Sequence, residues 1–318
     1  MQHKRRDFIK QLGGLTAGIA LLPSLLEAAE TPKKMFFEIS LAEWSLHKAI
    51  FGKQITNLDF PVKAKKDFNI SVVEYVNTCF FDATHTFQEN GKNMTYLKEL
   101  LKRCKDNGVK NHLIMCDAEG NLGDLDDAKR KQAVENHYKW VDAAKFLGCK
   151  TIRVNAAGNG TADEVKKAAI EGLGSLSTFA KKTGINVIVE NHGSYSSDGQ
   201  WLSAVMQGVN MPNCGTLPDF GNFCMKWKAN YEGCVEEYDR YKGTQELMPF
   251  AKGVSAKTND FNEKGDETQT DYYKMLKIVK DAGFKGYIGI EYEGKSLSEE
   301  EGIRKTKALL EKIGATMS

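Results

Sequence analysis

Several β-prone runs in this chain end on groups that can hold a cation or move a proton. The clearest is Ile185-Asn186-Val187-Ile188-Val189-Glu190-Asn191-His192-Gly193. Ile185, Val187 and Val189 alternate with their neighbours and give a strand one fully apolar face. The other face turns polar only at its C-terminal end, where Glu190 and His192 stand side by side. A carboxylate and an imidazole are costly on a buried strand end without a partner, and a metal ion or polar ligand supplies one. Other runs end in the same way: Glu74 on the second, Arg153 and Asn155 on the fourth, and Asp219 on the sixth. Ser255 and Lys257 lie on the seventh run, Glu291 and Glu293 on the eighth.

Glu190, Asp219 and Glu291 would repel one another if they converged unpaired, each raising the others' pKa. A divalent cation relieves that. Oxygen donors suit Mg or Mn, and a histidine would admit Co or Zn. Such a set can remove a proton beside a carbonyl. Glu190 and Glu291 would act as carboxylate bases on opposite faces, and the cation would offset the developing oxyanion. Lys257 and Arg153 would bind substrate oxygens or neutralise an enediolate; ordinary strand-end ion pairs are the plainer alternative. His192 and Glu74 are further substrate contacts. Trp44 and Phe223, after the first and sixth runs, could stack on the ring of a ligand or simply pack.

Eight runs must position these groups: Phe36–Leu41, Ser71–Val76, Asn111–Cys116, Lys150–Asn155, Ile185–Glu190, Cys214–Asp219, Gly253–Lys257 and Tyr287–Glu291. Segments of helical period separate them: Pro61–Phe68, Met94–Asn107, Ala128–Leu147, Ala162–Lys182, Gly199–Gly208, Tyr231–Phe250 and Asp271–Ala282, with Ser298–Ile313 last. Leu97, Leu100, Leu101 and Cys104 share one helical face. Asn107-Gly108, Leu147-Gly148, Thr183-Gly184 and Ala282-Gly283 are helix stops, and Thr161 and Ser298 are N-caps. Eight β-then-α units at this spacing predict a single-domain α/β fold, a (β/α)8 TIM barrel over residues 31–318. In that fold the C-terminal strand ends face one mouth. An open doubly wound sheet would want a Gly-rich first turn, and Leu41-Ala42-Glu43-Trp44-Ser45 has none. The polar stretch Phe261–Thr270 is a candidate lid.

The N-terminus is a different kind of segment. Lys4-Arg5-Arg6-Asp7-Phe8-Ile9-Lys10 precedes an apolar run from Leu12 to Leu26 and small residues at Ala28-Ala29. This predicts a signal peptide over residues 1–30 of twin-arginine type, delivery to the periplasm, and no stable membrane anchor after processing. The run is short for a membrane span. Lys plus Arg total 44 against 42 for Asp plus Glu, a net charge of +2, so no electrostatic footprint for nucleic acid is present. The seven cysteines are scattered without a C-x-x-C and are expected to be thiols.

The alternation, together with Val-Ile-Val-Glu-Asn-His-Gly, Gly-Thr-Leu-Pro-Asp-Phe-Gly-Asn and Ile-Gly-Ile-Glu-Tyr-Glu-Gly, resembles the xylose isomerase-like barrels of the sugar phosphate isomerase/epimerase family over residues 36–315. The resemblance implies that Glu190, Asp219 and Glu291 match three of the four usual metal ligands. The fourth is commonly a His two residues before a Lys, where this chain has Ser255-Ala256-Lys257. Either three carboxylates and waters hold the ion, or His192 completes the set, or binding is weak or absent. The resemblance further implies a metal-dependent isomerase or epimerase of a sugar. No phosphate cradle is evident, so a non-phosphorylated sugar or keto-sugar is expected. A hydratase or lyase of a 3-keto-sugar or keto-glycal is the second expectation, and a non-catalytic sugar-binding barrel the third. Dimers and tetramers are common among such proteins, which allows a homo-oligomer.

Overall fold

Apolar faces with a period of two produce ten strands in the computed structural model, which describes residues 35–229 and 233–317. They are β1 (Glu38–Ala42), β2 (Val72–Val76), β3 (Lys110–Met115), β4 (Thr151–Val154), β5 (Asn186–Glu190), β6 (Cys214–Leu217), β7 (Cys224–Trp227), β8 (Cys234–Glu237), β9 (Val254–Thr258) and β10 (Tyr287–Tyr292). Eight of them pair in parallel in the order β6-β5-β4-β3-β2-β1-β10-β9, and β7 and β8 form a separate antiparallel hairpin. The two ends of the eight-stranded sheet meet at Thr216 with Ala251 and at Asp219 with Ser255. There the Ser255 amide donates to the Pro218 carbonyl at 2.9 Å and the Phe220 amide to the Ser255 carbonyl at 3.1 Å. The result is the predicted (β/α)8 barrel, and its seam runs through two of the predicted site positions.

Helices alternate with the strands: α1 (His47–Phe51), α2 (Phe60–Phe68), α3 (Phe87–Asn90), α4 (Met94–Asp106), α5 (Asp127–Leu147), α6 (Ala162–Lys181), α7 (Gly199–Val209), α8 (Arg240–Leu247), α9 (Tyr272–Asp281) and α10 (Glu299–Thr316). Their ends follow the sequence signals. Thr161 and Ser298 form capping boxes with Glu164 and Glu301, and Gly148 ends α5 in the left-handed region at φ 82°. Val187 and Val189 of β5, Ile288 and Ile290 of β10, and Leu173 and Leu176 of α6 are fully buried in the core. No helix of the described residues is long and apolar enough to cross a membrane. The predicted signal segment, residues 1–30, lies outside the described residues.

Three expectations are corrected. The helix expected over residues 231–250 is replaced by the β7–β8 hairpin, then α8 and a 3-10 turn over Met248–Phe250. The hairpin wins because Cys224 and Cys234 are joined by a disulfide across its two strands, so not all seven cysteines are thiols. A two-stranded hairpin on its own is marginal, and a covalent tie reduces the entropy it loses on ordering. The Phe261–Thr270 stretch is not a free lid. Phe261 bridges Glu267, Glu267 is buried and accepts from the amides of Asn259, Gln269 and Thr270, and Asp266 pairs with Lys312 of α10 at 3.0 Å. The element that stands beside the mouth is the disulfide hairpin.

Five free cysteines are described, four of them buried. Thiol titration in denaturant is expected to count five groups without reductant and seven with it. Seven without reductant would remove the disulfide.

Candidate active site

Glu190 closes β5, Asp219 lies two residues past β6, and Glu291 lies near the end of β10. All three are buried, and one oxygen from each lies within 4.8 Å of the others. Asp219 is held firmly. Its Oδ1 accepts from the amides of Gly221 at 2.9 Å and Asn222 at 2.8 Å, and its own amide donates to Asn191 Oδ1 at 2.7 Å. That leaves Oδ2 turned toward Ser255, whose hydroxyl lies 2.5 Å from it and 2.9 Å from Glu291 Oε2. A hydroxyl has one hydrogen to give, so both contacts are satisfied only when one carboxyl carries a proton. Ser255 thus fills the corner between two carboxylates without adding a nitrogen donor. His192 is outside the cluster, so it does not supply the missing imidazole.

The remaining predicted residues surround this trio. Arg153 lies 2.8 Å from Glu190 Oε2 through Nε and 2.6 Å from Asp117 Oδ1 through Nη1. The first contact is an ion pair without hydrogen-bond direction, so Glu190 Oε2 remains a buried acceptor with no donor. Asn155 donates to Asp117 Oδ1 at 2.8 Å. Lys257 Nζ lies 3.5 Å from Glu291 Oε1 and 3.2 Å from Glu293 Oε1. The Asn222 side chain links the two halves: its amide donates to Glu190 Oε1 at 2.9 Å, and its oxygen accepts from Lys257 at 3.1 Å. Gly221 makes this route open, since a Cβ there would meet the Lys257 stem at 2.9 Å. Glu74 lies deeper in the barrel, where one oxygen accepts from Ser40 at 2.5 Å and the other has no partner. A Cβ at Gly289 would come within 2.7 Å of that second oxygen, so the glycine makes room for the carboxyl.

His192 is exposed at the rim and lines a cavity of about 200 Å³ with Asn155, His137 and Glu119. A larger hollow of about 540 Å³ lies on the outer helical layer around Met94, Tyr138 and Phe146, away from every strand-end residue. Trp44 is half-buried, stacks on His47 at 4.8 Å, and lies against Glu293. Phe223 is fully buried against Gly243, so it packs and cannot stack on a ligand. Asp117, Asn191 and Asn222 are the site residues that strand alternation does not flag. Asn191 and Asn222 do stand inside two of the three quoted motifs, whereas Asp117 follows the wholly apolar end of β3.

Charge decides what this arrangement can hold. Six carboxyl groups (Glu74, Asp117, Glu190, Asp219, Glu291 and Glu293) face two permanent cations, Arg153 and Lys257, among the described residues. Burial, reinforced by Glu291, pushes Glu190 up to about 7 despite Arg153 and Lys257. Burial with Glu291 and Glu190 pushes Asp219 to about 7 and Glu74 to about 8. Burial disfavours the Lys257 ammonium, but Glu291, Asp219 and Glu293 outweigh it and hold its pKa well above the usual lysine range. At His192, crowding and then Arg153 and Lys257 lower the imidazole pKa, so it is neutral at pH 7. Three oxygens within 4.8 Å and surplus negative charge fit a divalent cation.

Protonation links the site to stability. Glu74, Glu190, Asp219 and the fully buried Glu43, which burial also pushes to about 8, bind more protons folded than unfolded between about pH 4 and pH 8. These groups make stability fall as pH rises through that window, whereas His112, pushed down to about 4, His137 and His192, all depressed chiefly by burial, oppose them up to about pH 7. Asp117 and Glu293, held low chiefly by Arg153 and Lys257 against the effect of burial, act in the opposite sense only below that window. In EDTA-treated protein the melting temperature is expected to drop between about pH 7 and pH 8, above the range in which the depressed histidines act. Added Mn should raise it most at the alkaline end, and Glu74→Gln should flatten the metal-free slope. A pH-independent melting temperature would contradict the burial of these carboxyls.

Comparison with known proteins follows the same lines. No curated protein sequence matches the chain. Among solved structures, it is similar to an L-ribulose 3-epimerase (13% identity, 88% of this chain and 94% of that one, TM-score 0.66). It is also similar to the IOLI protein with a bound zinc atom (15%, 88% and 98%, 0.63) and to a 3-keto-D-glucoside 4-epimerase from E. coli (14%, 88% and 100%, 0.60). At these identities the structures share the fold. The family profile described as xylose isomerase-like TIM barrel matches residues 66–313. The chain belongs to the xylose isomerase-like TIM barrel family.

Proposed function

We propose that this chain is a divalent-metal-dependent isomerase or epimerase of a non-phosphorylated sugar or keto-sugar. The observation that carries the proposal is the convergence of Glu190, Asp219 and Glu291 inside one mouth with Lys257 beside them. The three carboxylates would hold the ion, which when bound supplies Lewis-acid polarisation of a substrate carbonyl. Glu190, its orientation fixed by Asn222, is then held as the carboxylate by the ion and acts as the base. Glu291 stands three strands round the ring from Glu190, so the two carboxylates would approach a bound carbon from different sides. Lys257 stays cationic and offsets negative charge on the enediolate oxygens. His192, neutral at the rim, and Arg153 orient substrate hydroxyls; Trp44 and Glu74 complete the walls. Both cations are already paired with carboxylates, which disfavours a phosphate group.

A second reading, hydration or dehydration of a 3-keto-sugar or keto-glycal, has one observation of its own. Burial keeps Glu74 protonated at neutral pH, and a neutral carboxylic acid could deliver a proton to a leaving hydroxyl. Export by the residue 1–30 signal remains part of the proposal. It is supported by the Lys4–Lys10 sequence and by a disulfide on an exposed hairpin, which suits an oxidising compartment.

The reaction is tested by incubating metal-loaded enzyme in deuterium oxide with free ketoses, 3-keto-glucose and its glycal, and following products by NMR. Deuterium at the carbon next to the carbonyl is expected in an epimerised or isomerised product, whereas a change in oxygen count marks the hydratase. Glu190→Gln and Glu291→Gln should each lower turnover by about 100- to 10,000-fold with an unchanged circular dichroism spectrum. Wild-type-like exchange in either variant would count against its role as base. Protein that binds no divalent ion and exchanges no proton would be a sugar-binding barrel instead.

A further inference from the structure

Trp140 and Trp201 are buried, and Trp44 is half-buried between His47 and Phe51. Trp227 is different: it is 45% exposed, with Val235 of the facing strand 59% exposed. A single exposed aromatic means little. Three observations give this one a place. The hairpin that carries it begins directly after Asn222 and Phe223, and Asn222 is the side chain that bridges Glu190 and Lys257. The indole leans over the mouth, since a Cβ built on Gly193 would lie 3.8 Å from its Nε1, and Gly193 follows the rim residue His192. The hairpin is also covalently fixed, Trp227 pairing with Cys234 of the disulfide.

Gly193 is three residues beyond Glu190, a span of at most about 10 Å. Trp227 therefore stands at the rim just past the C-terminal end of β5, outward of Glu190 along that strand. An indole on a disulfide-tied hairpin there offers a flat apolar face with one N–H donor at its edge. We propose that Trp227 is a binding residue for the second ring of a glycoside, so that the substrate is a two-ring molecule whose first ring sits at the carboxylates. This rests on the sugar-processing reading of the site and adds the substrate's size. The second ring is either a sugar or an aromatic aglycone; both present the same flat face.

The test is binding to the folded, disulfide-intact protein, measured by titration calorimetry and by acrylamide quenching of tryptophan fluorescence. The probes are glucose, cellobiose and phenyl β-glucoside. At least one two-ring probe is expected to bind tenfold or more tightly than glucose and to protect Trp227 from quenching. Cellobiose alone would mark a sugar ring, phenyl glucoside alone an aromatic one, and both a general stacking platform. Trp227→Ala should bring the affinities within about twofold of one another without changing glucose binding, and Trp227→Phe should keep most of the preference. Equal affinity for one- and two-ring probes, no binding of either two-ring probe, or an unchanged preference in Trp227→Ala would overturn the proposal. So would a dimer that Trp227→Ala dissociates, because the indole would then be an interface residue. A preserved preference without turnover would sink the catalytic reading and leave the platform; turnover without the preference would do the reverse.

Discussion

An excess of negative charge enclosed in a barrel mouth is the constraint on which this structure turns. Carboxylates cannot sit together out of water unless protons, fixed cations or a bound ion compensate them. Arg153 and Lys257 each serve two carboxylates and still leave the cluster negative. Burial, with the neighbouring carboxylates adding to it, raises the pKa values of Glu74, Glu190 and Asp219. A fold that tolerates this arrangement does so at a site, since strand ends at this face of such a barrel are where chemistry is placed.

The scaffold concentrates its rigidity at the same place. The barrel seam closes through the Asp219–Ser255 bridge, so the backbone that completes the cylinder also sets the distance between two members of the cluster. Asn191 and the amides of Gly221 and Asn222 hold Asp219, and Asn222 then ties Glu190 to Lys257. Each carboxylate is oriented by a neighbour that is itself fixed, which is the condition for a preorganised site. Ser255 extends this logic: its hydroxyl joins Asp219 and Glu291, keeping the donor set all-oxygen and favouring hard ions over softer ones.

The β7–β8 hairpin follows Asn222 and Phe223 directly and stands beside the mouth. The polar stretch after β9 is tied down by Glu267 and Lys312. The β7–β8 hairpin instead projects an exposed tryptophan beside the rim and depends on a disulfide for its order. Barrels of this family share their floor, and the loops at the mouth distinguish what each accepts.

Alternation along single strands determined a good deal. It marked Glu74, Glu190, Lys257 and Glu291 as groups on strand ends, and helix stops such as Gly148 and capping boxes such as Thr161–Glu164 placed the helices between them. These signals are local, carried by residues two to four positions apart. The hairpin escaped because helical period and short strands are ambiguous over residues 231–250, and only the pairing of Cys224 with Cys234, a contact across two strands, resolves it. Asp117 escaped because the apolar end of β3 carries no local sign of the Arg153 that meets it from β4. Which carboxylates share charge, which oxygen is left unpartnered, and where Trp227 stands are distances between elements far apart in the chain, and those were fixed only when the barrel closed.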